Sequence, residues 1–521
     1  MLPEITALRR GVSRVRIPQS LDVPMTQRVR RIVDTAPIRH LSSISQLGLV
    51  SLVYPGATHT RLEHSLGVYS NALRLLDHLS SFDSPANEIV AQASVAQEAF
   101  IVAALVHDAG HWPFCHPIED MGNLSSRRAD GSKQLAIKHE DRVDAILRQT
   151  EIASCLEQDW ACCADDVMAI LRPRSLPERP GCQLSAEDVS FYASCLSGPI
   201  DIDKLDYLQR DSLHAGVPYG RNFDAERIIA SLCIHPTEPK LAITEKGRTA
   251  AEMMVFGRYV MFSEVYWHHT VRAATAMLQR VLFSLLHESS LLHESALVHQ
   301  SSPVNGDESQ TAATPQTDSK SDDSLLNIAS WSHLSEPEWI HRLRTATAIP
   351  FEQTTSSPGQ QARAALAEGL FGPTRGLWKR AAEFNVESGG EVHSLLARRP
   401  YWWLVACSRR LAKRISHAIN RDVDPAMVLI DAPPVKLEVD INIDVVGRSL
   451  AKANAAVMTL GDVSPVASVL ANRQFDNHVK RVRVFVPEDV RTDLRRYSEN
   501  LHATMEDWLT RAAEEMENEI A

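Results

Sequence analysis

The apolar run from Ala99 to Val106 ends directly on His107-Asp-Ala-Gly-His-Trp-Pro-Phe-Cys-His116, and this junction constrains the chain more than any other. The apolar run reads as the last turns of a buried helix. A carboxylate and an imidazole at the mouth of such a helix are costly unless they are paired or hold a metal. His111 follows His107 by four residues, so a continuing helical turn sets both rings on one face. Gly110 and Pro113 then bend the chain toward His116, with Glu119 behind it. One His-Asp pair fits an ordinary core. Three His and an Asp so close together demand a polar pocket let into the helical body.

The 521 residues supply core for two or three domains. Apolar content of 44% and charged content of 23% are those of a globular protein. The net charge of −11 disfavours broad attachment to nucleic acid or to anionic membrane. No apolar run approaches the roughly 20 residues that span a bilayer. Met1-Leu-Pro-Glu-Ile lacks the features of a secretion signal, and the eight Cys are scattered without a CxxC pair. The expectation is a cytoplasmic protein with reduced thiols.

In chain order, Met25 to Asp34 reads as a short helix, and a helix opening near Thr58 runs to about Leu79 with Leu62, Leu66, Tyr69, Leu73 and Leu76 at helical spacing. A second helix spans about Asn87 to His107, and a third opens at Lys138-His-Glu-Asp141. Two amphipathic segments fill 164–197. In Asp201-Ile-Asp-Lys-Leu-Asp-Tyr-Leu-Gln-Arg-Asp211, the residues Asp203, Lys204, Tyr207 and Asp211 share one helical face. One long helical stretch is expected from Glu245 to about His287, and helices from Pro337 to Arg421. Residues 298–324 are rich in Ser, Thr, Gln, Asp and Pro, a disordered insertion or linker by composition. Strict alternation from Val435 to Val445 predicts a strand, with neighbours at Met427–Asp431 and Val482–Val486. One long amphipathic helix is expected after Pro487.

The set His64, His107, Asp108 and Asp203 offers two imidazoles and two carboxylates. Such a mixed nitrogen and oxygen set suits a divalent transition metal such as Fe, Mn, Zn or Ni, and phosphoester hydrolysis is the chemistry such an ion supports.

The order His64, His107-Asp108, Asp203 resembles the HD-domain metal-dependent phosphohydrolases. Asp34-Thr-x-Pro37, Gln46-Leu-Gly, Tyr54-Pro-Gly-Ala-x-His-x-Arg-Leu-Glu-His-Ser-Leu-Gly67, Lys138-His-Glu140, the 201–211 motif and Asn222-Phe-Asp224 resemble its dNTP triphosphohydrolase branch. That branch includes bacterial dGTPases and the animal SAM-and-HD enzyme. The resemblance covers roughly residues 25–290. It implies one divalent ion (Fe, Mn, Zn, Ni or Mg, the identity left open) on His64, His107, Asp108 and Asp203. It further implies phosphate contacts from Arg61 and Lys204 and acid/base work by His111, Glu119 and His139, with His116 lining the site. Tyr207 would pack on the sugar, Gln46 and Asp211 would bind its 3′-hydroxyl, Leu47 would line the base, and His269 would be a phosphate-side His. The implied partners are a nucleotide, foremost a dNTP, and further copies of the chain in a homo-oligomer; nucleic acid is less favoured.

Three departures stand out. Val265 replaces an Arg of the animal members, Ala273-Ala274 replace a Tyr-Gln pair, and Arg39 and Ser42 stand at the guanine activator positions. The expected fold is mostly α: an HD-type helical core over 1–290, a helical extension over 325–424, and a small α+β lobe with a terminal helix over 425–521. The expected activity converts a dNTP and water to deoxynucleoside and triphosphate. The alternatives are another nucleotide substrate, a nuclease or phosphodiesterase, or a nucleotide sensor.

Overall fold

The computed structural model describes residues 2–19, 22–81, 94–122, 139–173, 179–300, 328–349, 356–433, 442–447, 457–470 and 479–520, with backbone alone over 287–300. The segments 301–327 and 434–441, which hold most of the expected linker and of the Val435–Val445 alternation, lie outside them, as do 82–93 and Lys138.

The body forms around the Val95–Val106 helix, in which Ala99 to Val106 are at most 1% exposed. Burying Phe100, Ile101, Val102 and Leu105 contributes roughly 1.5–3 kcal/mol each relative to exposure. The helices Arg61–Ser80, Ala164–Leu171 and Ala186–Ser197 pack around it. Each of these starts has a local cause. Thr60 accepts from the Glu63 amide, Ser94 from Gln97, and Ser185 forms a reciprocal box with Asp188. Asp201 caps the Ile202–Ala215 helix through the Lys204 amide at 2.7 Å. That helix crosses Arg61–Ser80 at Gly67, where a Cβ would stand 1.9 Å from Asp206 Oδ1. Only glycine permits so close a crossing.

The expected continuous helix after Glu245 is broken. Arg248–Met261 passes through a wide π turn at Phe262–Tyr266, and a new helix, His269–Gln300, follows. The stretch expected to be helical to Arg421 contains the strand Lys379–Phe384. Its sequence alternates weakly, and the strand exists by antiparallel pairing to Val482–Val486, whose other edge takes Leu429–Asp431. The helices Tyr401–Ile419 and Leu501–Ile520 pack on this small sheet. The expected single terminal helix is two, Glu488–Tyr497 and Leu501–Ile520. Pro3–Arg10, ahead of the first helix read from the sequence, is also helical. Asp444–Val446 does not join the lobe. It pairs in parallel with Leu241–Thr244, in a second sheet ordered Leu232–Ile234, Leu241–Thr244, Asp444–Val446, Val457–Thr459. The architecture is thus mostly α with a small C-terminal α+β lobe.

Two cations, a half-buried Arg272 and a buried Arg280, tie the lobe to the long helix. Arg272 donates to both oxygens of Asp431, at 2.6 and 3.0 Å, and Arg280 donates to Ser408 and to the carbonyls of Pro425 and Val428. Within the lobe, Glu383 accepts from Arg483 and Arg380, each at 2.7 Å, and from Arg481. Burial alone would raise the Glu383 carboxyl, but Arg483 and its neighbours hold it down at about 2. A depressed carboxylate stabilises the fold fully above its ordinary value of about 4.3 and loses that contribution as pH falls through the folded value. Glu383→Gln is therefore expected to flatten the fall in thermal midpoint between about pH 5 and pH 2. Identical acid slopes in both proteins would show that the cluster does not act in this way.

Candidate functional site

Two helix starts and one helix end bring the chemistry together. His64 lies in the first turn of Arg61–Ser80, Asp203 in the first turn of Ile202–Ala215, and His107 caps the C-terminus of Val95–Val106. The Nε2 atoms of His64 and His107 are 3.3 Å apart. Asp203 Oδ1 lies 3.0 Å from the first and 4.0 Å from the second. Asp108 stands at the edge, with Oδ1 3.5 Å from His107 Nε2 and Oδ2 accepting from Arg61 Nη1 at 2.8 Å.

The outer nitrogens of both rings are occupied. His64 Nδ1 donates to Asp206 at 2.9 Å and His107 Nδ1 to the Ala104 carbonyl at 3.0 Å. This fixes the tautomers so that both Nε2 lone pairs face the same point, as in supported metal ligands. Without a cation, burial would lower the His64 pKa, but the carboxylates of Asp203 and Asp206 outweigh it and raise it to about 10, so a proton on Nε2 holds the place that a metal would take. The arrangement draws positive charge to this point. His64, His107 and Asp203, with Asp108 beside them, fit a divalent transition ion by donor type and by convergence.

Beside this set stands a second group of imidazoles. His111 Nδ1 faces Asp108, 3.2 Å from the carbonyl and 3.3 Å from Oδ1. His139 Nδ1 lies 3.0 Å from Glu119 Oε1, and the His139 amide donates to the same oxygen at 2.8 Å. The rings of His111 and His139 are 3.9 Å apart, centre to centre. Gly110 permits this, because a Cβ there would stand 1.9 Å from the His139 carbonyl. Burial and the nearby Arg61 disfavour the His111 imidazolium and push its pKa well below the ordinary value. Burial opposes ionisation of Glu119, yet its bonds to His116 and His139 hold it well below the usual carboxylate range.

A cavity of about 410 Å³ unites these groups. Of the residues singled out in the sequence, Gln46, Leu47, Arg61, His64, His107, Asp108, His111, His116, His139, Asp203, Tyr207 and Asp211 line it. Glu119 sits behind the imidazoles. Two of the expected site residues lie elsewhere. Lys204 does not line the cavity; its ammonium bonds Asp201 at 2.6 Å and the Gly198 carbonyl at 2.9 Å, bracing its own helix start. His269 opens a helix beyond the π turn and lines another cavity, with Arg375, Lys379, Arg380, Arg491 and Arg495.

Sequence reasoning missed the support behind His64. Asp206 accepts from both His64 and Arg210, and Arg210, fully buried, also donates to Glu63 at 2.7 Å. It also missed His59 and Tyr266, which take up the two oxygens of Asp211 at 2.9 and 2.6 Å. The helical spacing of Asp206 and Arg210 was a signal, but it reads equally as a solvated pair. Asp206→Asn is expected to weaken retention of a divalent ion by 10–100-fold, the range for a residue supporting a ligand. The check is metal content after dialysis against graded chelator; wild-type retention would show that His64 needs no such support.

Residues 61–209 match the family model of the HD domain, and 223–301 that of the HD associated region. The uncharacterized protein YwfO of Bacillus subtilis is 31% identical over 256 residues, 48% of this chain and 50% of that protein. The deoxynucleoside triphosphate triphosphohydrolase SAMHD1 of Gallus gallus is 30% identical over 213 residues, 38% of this chain and 33% of that one. The chain spans about half the length of YwfO and of two further curated relatives, 50%, 49% and 56%. Among solved structures, a hypothetical protein from Aquifex aeolicus superposes with a TM-score of 0.58 at 23% identity, over 92% of this chain and 99% of that one. A phosphohydrolase from Bacteroides thetaiotaomicron gives 0.56 at 21%, over 91% and 99%. At such identities the likeness establishes the fold. No helix among the described residues is long and apolar enough to cross a membrane. The matched regions run from the first imidazole of the site through the helix beyond the π turn, so this part of the chain carries an HD domain and an HD associated region.

Proposed function

We propose that the chain hydrolyses a deoxynucleoside triphosphate to the deoxynucleoside and inorganic triphosphate. The observation that supports this most is the single cavity in which convergent cation ligands, three imidazoles and a buried guanidinium meet an apolar side chain and a tyrosine. Its volume of about 410 Å³ is that of a small-molecule site. A divalent ion on His64, His107, Asp108 and Asp203 would supply Lewis acidity toward the α-phosphate and the attacking water.

The chain's own residues do the rest. Water adds at the α-phosphorus, the bond to the sugar O5′ breaks, and the departing oxygen takes up a proton. His111 and His139 are the proton carriers, because each has Nδ1 held by a carboxylate or carbonyl, leaving Nε2 to exchange protons. Glu119 holds His139, and His116 stands at the mouth. Arg61 reaches the phosphates; its Nε is buried and has no partner among the described residues, and its Nη1 is on Asp108. The buried Gln46 Oε1 also has no partner among the described residues and accepts from the sugar 3′-hydroxyl, beside Asp211. Tyr207 packs on the sugar where a 2′-hydroxyl would stand, and Leu47 lines the base. Lys204 would have to release Asp201 to reach a phosphate.

The test is an Mn²⁺- or Fe²⁺-supplemented assay on the four dNTPs, the NTPs and single-stranded DNA, with His107→Ala/Asp108→Ala as control. Free triphosphate from dNTPs is expected, with turnover lost by on the order of 10³-fold or more in the control. Pyrophosphate, shortened oligomers or inactivity on every nucleotide would overturn the reading. Tyr207→Ala is expected to narrow the preference for dNTP over NTP, and an unchanged ratio would remove it from the sugar.

A further inference from the structure

His111, Cys115, His116 and His139 form a second convergent set beside the first, their ligand atoms all within 4.8 Å of one another. The Nε2 atoms of His111 and His116 are 3.3 Å apart, the same spacing as the His64–His107 pair. This is the edge of a tetrahedron whose metal–nitrogen bonds are about 2.0–2.1 Å long, since that edge is roughly 3.3–3.4 Å. All three rings are backed in the manner of metal-binding imidazoles. Asp108 faces Nδ1 of His111, and Glu119 faces Nδ1 of both His139, at 3.0 Å, and His116, at 3.7 Å. Cys115 supplies a sulfur at the start of the short Cys115–Glu119 helix, and the thiol is buried.

We propose that these four residues bind a second cation, of the zinc class, and that its binding inhibits the enzyme. Three imidazoles and a thiolate complete a tetrahedral shell, leaving no position for a substrate oxygen; that is the character of a closed zinc site. The sulfur selects a softer ion than the nitrogen and oxygen set around His64 does. Closing the set asks the outer donors to move in by roughly 1 Å, and the exposed His116 is the ring with room to turn. Asp108 lies between the two sets, with Oδ1 3.5 Å from His107 Nε2 and 3.3 Å from His111 Nδ1. Zinc would occupy the Nε2 lone pairs that proton transfer requires. The cation and the travelling proton therefore compete for the same atoms. The inhibitory consequence rests on the proposed phosphohydrolase reading, whereas the binding does not.

The test uses the full chain loaded with Mn²⁺ and titrated with Co²⁺ under reducing conditions. A thiolate-to-cobalt charge-transfer band is expected, bleached by Zn²⁺ and absent from Cys115→Ser, whose side chain is nearly isosteric. The band is expected to persist in His107→Ala, which separates this set from the first. With dNTP as substrate, Zn²⁺ is expected to inhibit the wild type, and Cys115→Ser to weaken that inhibition by on the order of 100-fold, at least the loss seen on removing a supporting residue. No band in the wild type, a band that survives Cys115→Ser, or one that vanishes with His107→Ala would overturn the proposal. Should the chain fail to hydrolyse dNTPs, the spectroscopic outcome still decides whether the second site exists.

Discussion

His64 is gripped from both sides by carboxylates, Asp206 at Nδ1 and Asp203 at Nε2, while only 2% exposed. Much of the body is arranged to make that possible. A buried imidazole with two carboxylates is unfavourable unless the charges balance. Here Arg210 neutralises Asp206 and reaches on to Glu63, which also faces His214. The two helices carrying these groups must cross closely, and Gly67 gives the space. One face of this network is thus satisfied within the core, and the other presents Nε2 and Asp203 to the cavity. The unbalanced side is where a cation belongs.

The same logic divides the cavity into two groups of donors. The donors around His64 are fixed from behind by groups buried in the helical body. The His111, His139 and His116 group is fixed from behind by Asp108 and Glu119, and sits where the chain turns at Gly110 and returns at His139. Asp108 touches both groups and Arg61. A charge change at either group is therefore felt by the other through one carboxylate, at low local dielectric.

Much of this was readable in the sequence. The apolar run before His107, the stripe from Leu62 to Leu76 and the shared face of Asp203, Tyr207 and Asp211 each carry the period of their element, so the helices follow from spacing, whereas most of the lining residues follow from the family resemblance. What spacing does not carry is which neighbour a polar side chain meets. Asp206 and Arg210 look like a solvated pair until Gly67 brings another helix onto them. His269 fits a family position by order, yet the π turn at Phe262–Tyr266 and the restart of the helix set it facing another cavity. Lys204 looks like a phosphate ligand until Asp201 is seen to hold it. The strand Lys379–Phe384 has little pattern of its own and is made by its partner Val482–Val486, about 100 residues away in the chain.

The most direct measurement is anomalous diffraction from crystals of the Mn²⁺-loaded chain. The account requires a manganese peak within bonding distance of Nε2 of His64 and His107 and of the carboxylates of Asp108 and Asp203. A peak that involves neither imidazole, or none at this point in a fully loaded crystal, would contradict it.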